Sequence, residues 1–286
     1  MQANIKSFYH YPTYTWTHVL SDPATGKAAI IDPVLDYDAA SAHTGTESVD
    51  EVLKYVKDNG LDVEYVLETH AHADHLTAAK HIQDSLKTPV IIGEGIKKVQ
   101  KTFKPIYNLG ADFDTDGSQF DRLTREGETI TLGNLEIEPL YTPGHTNDSM
   151  SYLVGKDVFI GDTLFAPDYG TARCDFPGGD AGKLYDSIQK LYALGDDVVM
   201  HLCHDYPPAN REPQSAFTVA EQKKHNVHVH EGVSREEFIA LRTARDKTLA
   251  APKLIIPSIQ VNIKAGAFPE PEGNGMVYLK TPLNTF

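Results

Sequence analysis

Six consecutive residues hold the densest chemistry in this sequence: His70-Ala71-His72-Ala73-Asp74-His75 sets three imidazoles and one carboxylate side by side. Imidazole nitrogens and carboxylate oxygens are the donors that zinc and iron accept, and a loop at the end of a strand can turn several of them toward one point. A solvated polar loop has no need of such spacing, so the stretch points to a bound metal. Three more residues share its setting, each just past a short apolar run. They are His145 in Thr142-Pro143-Gly144-His145-Thr146, Asp162 in Ile160-Gly161-Asp162-Thr163, and His204 in His204-Asp205-Tyr206. Singly, each reads more readily as a cap or turn residue. Their repeated position makes them candidates as a set.

The elements around these residues must bring them to one edge. Val63 to Leu67 reads as a strand that delivers Thr69-His70, and His75 to Leu86 as a helix that Thr88-Pro89 stops before a strand at Val90 to Ile92. Upstream, Trp16 to Leu20 and Ala28 to Ile31 flank the turn-rich Ser21-Asp22-Pro23-Ala24-Thr25-Gly26 and predict a hairpin. Ser48 precedes Glu51 at capping-box spacing, which predicts a helix through Val52, Leu53 and Val56 to Asn59-Gly60. Lys104 to Arg125 is polar, carries Gly110 and Gly117, and reads as a long surface loop. Strands follow at Thr129 to Leu132, Leu135 to Leu140, Met150 to Val154 and Val158 to Ile160. A helix from about Ala181 to Leu194, a buried strand at Val198 to Met200 and a capping box from Ser234 to Glu237 complete the pattern. Two strand-rich halves, each with helices, predict one internally duplicated α/β sandwich over residues 1–286, with helices outside. The tail from about residue 252 is rich in Pro and Gly and is expected to wrap the surface.

Composition narrows the partners. Lys and Arg number 26 against 40 Asp and Glu, for a net charge of −14, so nucleic acid and anionic membranes are repelled and neither is an expected partner. An anionic substrate would need a local cation to offset that field. No apolar run reaches the roughly 20 residues of a membrane span. Met1 to Tyr11 lacks the charged and apolar regions of a secretion signal. With only Cys174 and Cys203, reduced thiols and a soluble, cytoplasmic protein are the expectation.

The ordered ligand set resembles the metallo-β-lactamase superfamily through about Tyr206. The resemblance implies an α/β fold, the αβ/βα sandwich of two mixed sheets with outer helices. In two-metal members of the superfamily, the residues matching His70, His72, His145 and Asp162 hold one ion. Those matching Asp74, His75 and His204, with Asp162 as the bridge, hold the other. After Asp162, the segment Arg173-Cys174-Asp175-Phe176 resembles the persulfide dioxygenases, and the glutathione-binding helices of glyoxalase II have no convincing counterpart. The dioxygenase likeness implies one Fe(II) per chain on a catalytic triad of His70, His145 and Asp162. It further implies oxidation of glutathione persulfide, or a similar small persulfide, by O2 to sulfite and glutathione, as in sulfide detoxification. His72, Asp74, His75 and His204 would then orient ligands and pass protons, with Arg173, Thr146 and Tyr206 on the substrate. A homodimer is implied as well. The rival is a glyoxalase II-like thioester hydrolase with two Zn(II) per chain, for which all the ligands are present. A sulfide- or metal-sensing protein without activity has little to support it.

Some residues keep two readings. Arg173 suits a substrate carboxylate, by bidentate pairing, or a salt bridge to Asp175 or Asp180. Cys174 is a persulfide-carrying thiol or a small buried apolar group, and Cys203 approaches the metal or packs. His225, His228 and His230 lie on a polar stretch and are expected on a solvated face.

Overall fold

In the computed structural model, residues 2–285 are described. The chain opens with β1 (Asn4–His10), β2 (Thr15–Ser21), β3 (Lys27–Ile31), β4 (Val34–Asp38) and β5 (His43–Gly45), followed by α1 (Glu47–Asp58) and β6 (Asp62–Leu67). Next come β7 (Leu76–Thr77), α2 (Ala79–Leu86), β8 (Val90–Gly93), α3 (Ile96–Ile106) and β9 (Arg122–Thr124). The second half runs β10 (Ile130–Leu132), β11 (Leu135–Tyr141), β12 (Met150–Val154), β13 (Asp157–Phe159), α4 (Ala181–Tyr192), β14 (Val199–His201) and β15 (Ala216–Thr218). Helices α5 (Val219–His225), α6 (Arg235–Asp246) and α7 (Ile255–Asn262) close it.

Two six-stranded sheets result, ordered β1-β2-β3-β6-β8-β9 and β10-β11-β12-β13-β14-β15, with a small β5-β4-β7 sheet beside them. Both large sheets are mixed. In the first, β3, β6, β8 and β9 pair in parallel, and in the second only β13 and β14 do. The central strands are apolar on both faces, as strands covered on two sides must be. Ile30, Val66 and Val90 pack outward with Val52 of α1, Ile82 of α2, Val99 of α3 and Ile259 of α7. Their neighbours Ile31, Leu67 and Ile91 face Ile137, Tyr152 and Phe159 of the other sheet. On the far side of the second sheet, Val158 and Met200 meet Leu184 and Ile188 of α4 and Phe238 of α6. This is the predicted helix, sheet, sheet, helix order of the metallo-β-lactamase sandwich. Truncating a Leu or Ile to Ala in such a layer costs about 2–5 kcal/mol, so the strand ends that carry the site are held firmly. No helix among the described residues is long and apolar enough to cross a membrane.

Several local expectations need correction. Ser48 does not cap α1: the N-cap is Thr46, whose side chain accepts no capping bond from the backbone, and Ser48 gives both its N–H and its hydroxyl to Asp36. The helix expected from His75 begins only at Ala79, because Leu76 and Thr77 pair with β4 as β7. Between Lys104 and Arg125, the loop is bounded by the end of α3 and by β9, which pairs with β8. The tail is not all surface wrap, since Ile255, Ile259 and Val261 of α7 are core residues. The Ser234 capping box is present, and Thr218 with Glu221 forms another at α5.

Candidate metal centre

Each candidate ligand follows the C-terminal end of a strand: His70 after β6, His145 after β11, Asp162 after β13 and His204 after β14. Backbone bonds join these ends across the two sheets. Met150 donates to the Thr69 carbonyl at 2.9 Å, and Trp16 of β2 donates to the Cys203 carbonyl at 2.7 Å. Two glycines permit the approach. At Gly144 (φ +141°) a Cβ would lie 2.3 Å from the Leu184 nitrogen of α4, and at Gly161 (φ +51°) one would lie 2.7 Å from Thr69 Oγ1. Any larger residue would push His145 or Asp162 away from the cluster.

His70, His145 and Asp162 bring one donor atom each within 4.8 Å of one another, and so do His72, Asp74, His75 and His204. Asp162 faces both groups. Its Oδ2 lies 3.9 Å from His70 Nε2 and 3.7 Å from His145 Nε2, while its Oδ1 lies 3.5 Å from His204 Nε2. Donors about 2.0–2.2 Å from a shared ion stand roughly 3–4 Å apart, so these spacings fit one. His72 groups with the Asp74 set, whereas the two-metal resemblance assigned it to the His70 set.

The outward nitrogen of each histidine is engaged. His145 Nδ1 donates to the Arg173 carbonyl at 2.7 Å, and His72 Nε2 to Asp32 Oδ1 at 3.0 Å. Thr69 Oγ1 donates to Asp32 Oδ2, which leaves it to accept from His70 Nδ1 at 3.0 Å. His204 Nδ1 faces the Tyr14 carbonyl at 3.3 Å, and His75 Nδ1 sits 3.5 Å from Thr15 Oγ1. The inward atoms His70 Nε2, His72 Nδ1, His75 Nε2, His204 Nε2 and Asp162 Oδ1 are buried without a hydrogen-bond partner. Buried polar atoms seldom lack partners, and imidazoles fixed from behind with an unpartnered nitrogen in front are arranged as metal ligands are. The donor set thus fits a cation.

Burial, with the charges of His72 and His145, pushes His70 well below the usual imidazole range, and burial with His72 lowers His75 to about 3. Both therefore offer neutral lone pairs. Burial opposes ionisation of Asp74, but His204 and His75 outweigh it and hold the carboxyl low. His72 goes the other way. Burial works against its charge, yet the buried carboxylates of Asp32 and Glu68 hold it protonated well above the usual range. A cation at Nδ1 would displace that proton, so binding there releases it.

A cavity of about 490 Å3 opens over this cluster, with His145, Asp162 and Asp74 at its floor. Tyr206 forms a wall, stacked on His204 with ring centroids 5.7 Å apart and packed on Tyr169 at 4.7 Å. Burial and the charges of Asp74 and Asp162 keep its hydroxyl protonated. Thr146 is not among the lining residues; its hydroxyl bonds Ser149 at 2.6 Å. Arg173 lines the cavity, but its fork is engaged: Nε and Nη2 reach Asp175 at 2.6 and 2.8 Å, and Nη1 donates to the Ala250 carbonyl at 2.6 Å. Its carbonyl nonetheless orients His145. That backbone is braced from α6, where Arg242 Nη1 donates to the Thr171 carbonyl at 3.0 Å and Asp246 accepts from the Cys174 N–H at 2.9 Å. Sequence reasoning missed Arg245 and Lys253, exposed at the rim without an ion pair among the described residues. Neither lies in a recognisable pattern.

Cys174 and Cys203 are free and buried. Burial raises both thiols, aided by Asp246 at Cys174 and by Asp32 at Cys203, so neither is a ready thiolate. His228 is not on a solvated face. It is buried and accepts the Thr171 N–H at 3.1 Å, so it belongs to the brace behind Arg173.

Comparison with known proteins agrees with this geometry. A probable metallo-hydrolase of Burkholderia pseudomallei is 47% identical over 98% of this chain and 99% of its own length. Glyoxylase B2 of Dictyostelium discoideum is 48% identical over 99% of this chain and 98% of its own. The mitochondrial persulfide dioxygenase ETHE1 of Mus musculus is 27% identical over 92% of this chain and 88% of its own. Among solved structures, ETHE1 from Myxococcus xanthus superposes with a TM-score of 0.73 at 33% identity, covering 92% of this chain and 100% of that one. The family model of the metallo-beta-lactamase superfamily matches residues 11–204, which span every candidate ligand, and the chain belongs to that superfamily.

Proposed function

We propose that this chain is a persulfide dioxygenase that uses Fe(II) held by His70, His145 and Asp162. The observation that carries the reading is a two-histidine, one-carboxylate group, two of whose members front the cavity. Such a triad leaves positions open, as non-haem iron oxygenases require. Similarity to ETHE1 along most of the chain supports the same choice. A ferrous ion there would supply the redox chemistry, in which the terminal sulfur of a persulfide loses four electrons and O2 accepts them. With one water, the products are sulfite and the free thiol. The chain's own groups bind and orient. Tyr206, Tyr169 and Phe165 wall the cavity with apolar surface and limit water. The Tyr206 hydroxyl is a neutral donor beside the floor carboxylates, and Arg245 and Lys253 supply the positive charge an anionic thiol such as glutathione needs.

A second reading, a two-metal thioester hydrolase, is favoured by one feature: the two oxygens of Asp162 face the two ligand groups separately. Relatives named metallo-hydrolase and Glyoxylase B2 agree with it. An oxygen electrode with glutathione persulfide, read beside sulfite and S-lactoylglutathione assays on one preparation of known metal content, tests the choice. Persulfide-dependent oxygen uptake with stoichiometric sulfite and one iron per chain is expected. Flat oxygen traces with rapid thioester cleavage and two zincs per chain would assign the hydrolase.

A further inference from the structure

The stretch from His70 to His75 is irregular backbone, so something other than a strand ladder or helix must satisfy its polar groups. Asp148 accepts the Ala71 N–H at 2.8 Å on one side. On the other, a single side chain from the far end of the sequence does the work. Asn262 Nδ2 donates to the His72 carbonyl at 2.7 Å and to the His75 carbonyl at 2.8 Å, and its Oδ1 accepts the Thr77 N–H at 2.9 Å. Both amide protons are used on the carbonyls that flank Asp74, and the side chain is 3% exposed. Those bonds fix the peptide planes that follow His72 and His75 and so bracket Asp74 between two held points.

The base of this clamp is itself immobilised. Asn262 is the last residue of α7, whose Ile255, Ile259 and Val261 are buried in the core. Helix α3 and the residue that follows it tie both ends of α7: Tyr107 donates its hydroxyl to the Ile255 carbonyl, and Gln100 its amide to the carbonyl of Ile263 just past α7, each at 3.0 Å. Gly266 (φ +87°) then turns the chain tightly against Lys80, where a Cβ would lie 2.9 Å from the backbone nitrogen. Asn262 and the whole of α7 lie beyond residue 204, where the match to the family model ends.

We infer that Asn262 is a positioning residue for the metal centre, so that cation affinity at the His70–His75 loop is set from the C-terminal helix. The inference rests on the reading of that loop as metal-binding. Loss of the amide would leave two buried carbonyls without donors and free the loop to relax away from His204 and Asp162.

The test uses the full-length protein, stripped of metal and titrated with cobalt(II) in competition with a chelator, with the visible ligand-field spectrum and Tm recorded for each variant. Asn262→Asp keeps the shape and presents oxygens to the two carbonyls. It is expected to weaken cobalt binding by about 10- to 100-fold, the range seen for partners that orient ligands, and to shift the spectrum. Ile259→Ala, on the same helix but at an apolar side chain that makes no hydrogen bond to the loop, is the control. It is expected to lower Tm at least as much while leaving affinity within about twofold, because its effect is a packing cavity. Native affinity and spectrum in Asn262→Asp would overturn the inference, as would an equal affinity loss in the Ile259 control. Asn262→Ser, which keeps one donor, carries the same comparison with a smaller loss if the Asp variant does not fold. His70→Ala separates the two claims: if it too keeps native affinity, the metal centre itself is misassigned, whereas loss there with native binding in the Asn262 variants refutes the positioning role alone.

Discussion

In the cluster at and beneath the cavity floor, His70, His72, His75, His145, Asp162 and His204 are buried, and the outward nitrogen of each histidine faces a polar partner. On the rim, Arg245 and Lys253 are exposed and, among the described residues, without an ion pair. The floor grows from strand ends between two sheets, and the rim from the last turn of α6 and the segment joining it to α7. Short loops on rigid strands fix donor atoms closely, as a metal demands. Long charged side chains on a helix connection tolerate variation and suit the flexible end of a substrate. The difference suggests that metal chemistry and substrate preference can be altered separately.

The largest effect should come from the floor. His70→Ala, His145→Ala and Asp162→Ala are each expected to lose metal and turnover together, beyond the roughly 10- to 100-fold loss typical of outer partners. Metal analysis beside oxygen uptake checks this, and a variant with full metal and full rate would remove its residue from the set. Arg173→Ala tests whether floor and rim really separate. Its side chain anchors the backbone whose carbonyl orients His145, so metal affinity should fall by about tenfold, at the low end for such partners. A change in KM alone would instead make Arg173 a direct substrate contact. Smaller still, Arg245→Ala and Lys253→Ala should each raise KM about fivefold, the worth of an exposed ion pair near 1 kcal/mol, with kcat and metal content unchanged. Unaltered KM in both would move the anionic end of the substrate elsewhere.

The smallest effect concerns the brace behind the rim. Burial and the charges of Arg242 and Arg245 lower His228 to about 4 from an ordinary 6.5. Its folded value lies below its unfolded value, so its contribution is complete above pH 6.5 and is lost as the pH falls toward 4. Amide exchange at Thr171, whose N–H it accepts, should therefore quicken across that window while the Thr69 amide, bonded to Asp32, stays protected. His228→Asn should flatten the dependence, and an unchanged profile in that variant would locate the acid sensitivity in another group.

The floor was legible in the sequence because its donors are of rare types, packed in six residues or set just past apolar runs. The strands read well for the same reason, since β-sheet burial writes itself as continuous apolar stretches such as Ala28 to Ile31. What failed were choices between competing partners. Ser48 and Glu51 have capping spacing, but Asp36, brought close only by the fold, takes both donors of Ser48. Arg173 could pair with a ligand or a neighbour, and the turn of its backbone delivers Asp175. His228 lies among polar residues in sequence, yet Gly170 and Thr171 close against its ring in space. Asn262 carries no local signal, because one amide meeting two distant carbonyls leaves no periodicity or motif.

The parts of the floor are far apart in order of synthesis. A chain leaving the ribosome presents His70 to His75 early, Asp162 and His204 much later, and Asn262 last among the residues that hold the loop. Domains fold as units as they emerge, and a nascent chain holding only the first loop lacks the donors that Asp162 and His204 add to it. The loop's last hydrogen bonds therefore wait on the synthesis of α7, and a product cut short before that helix would lack the clamp on the loop.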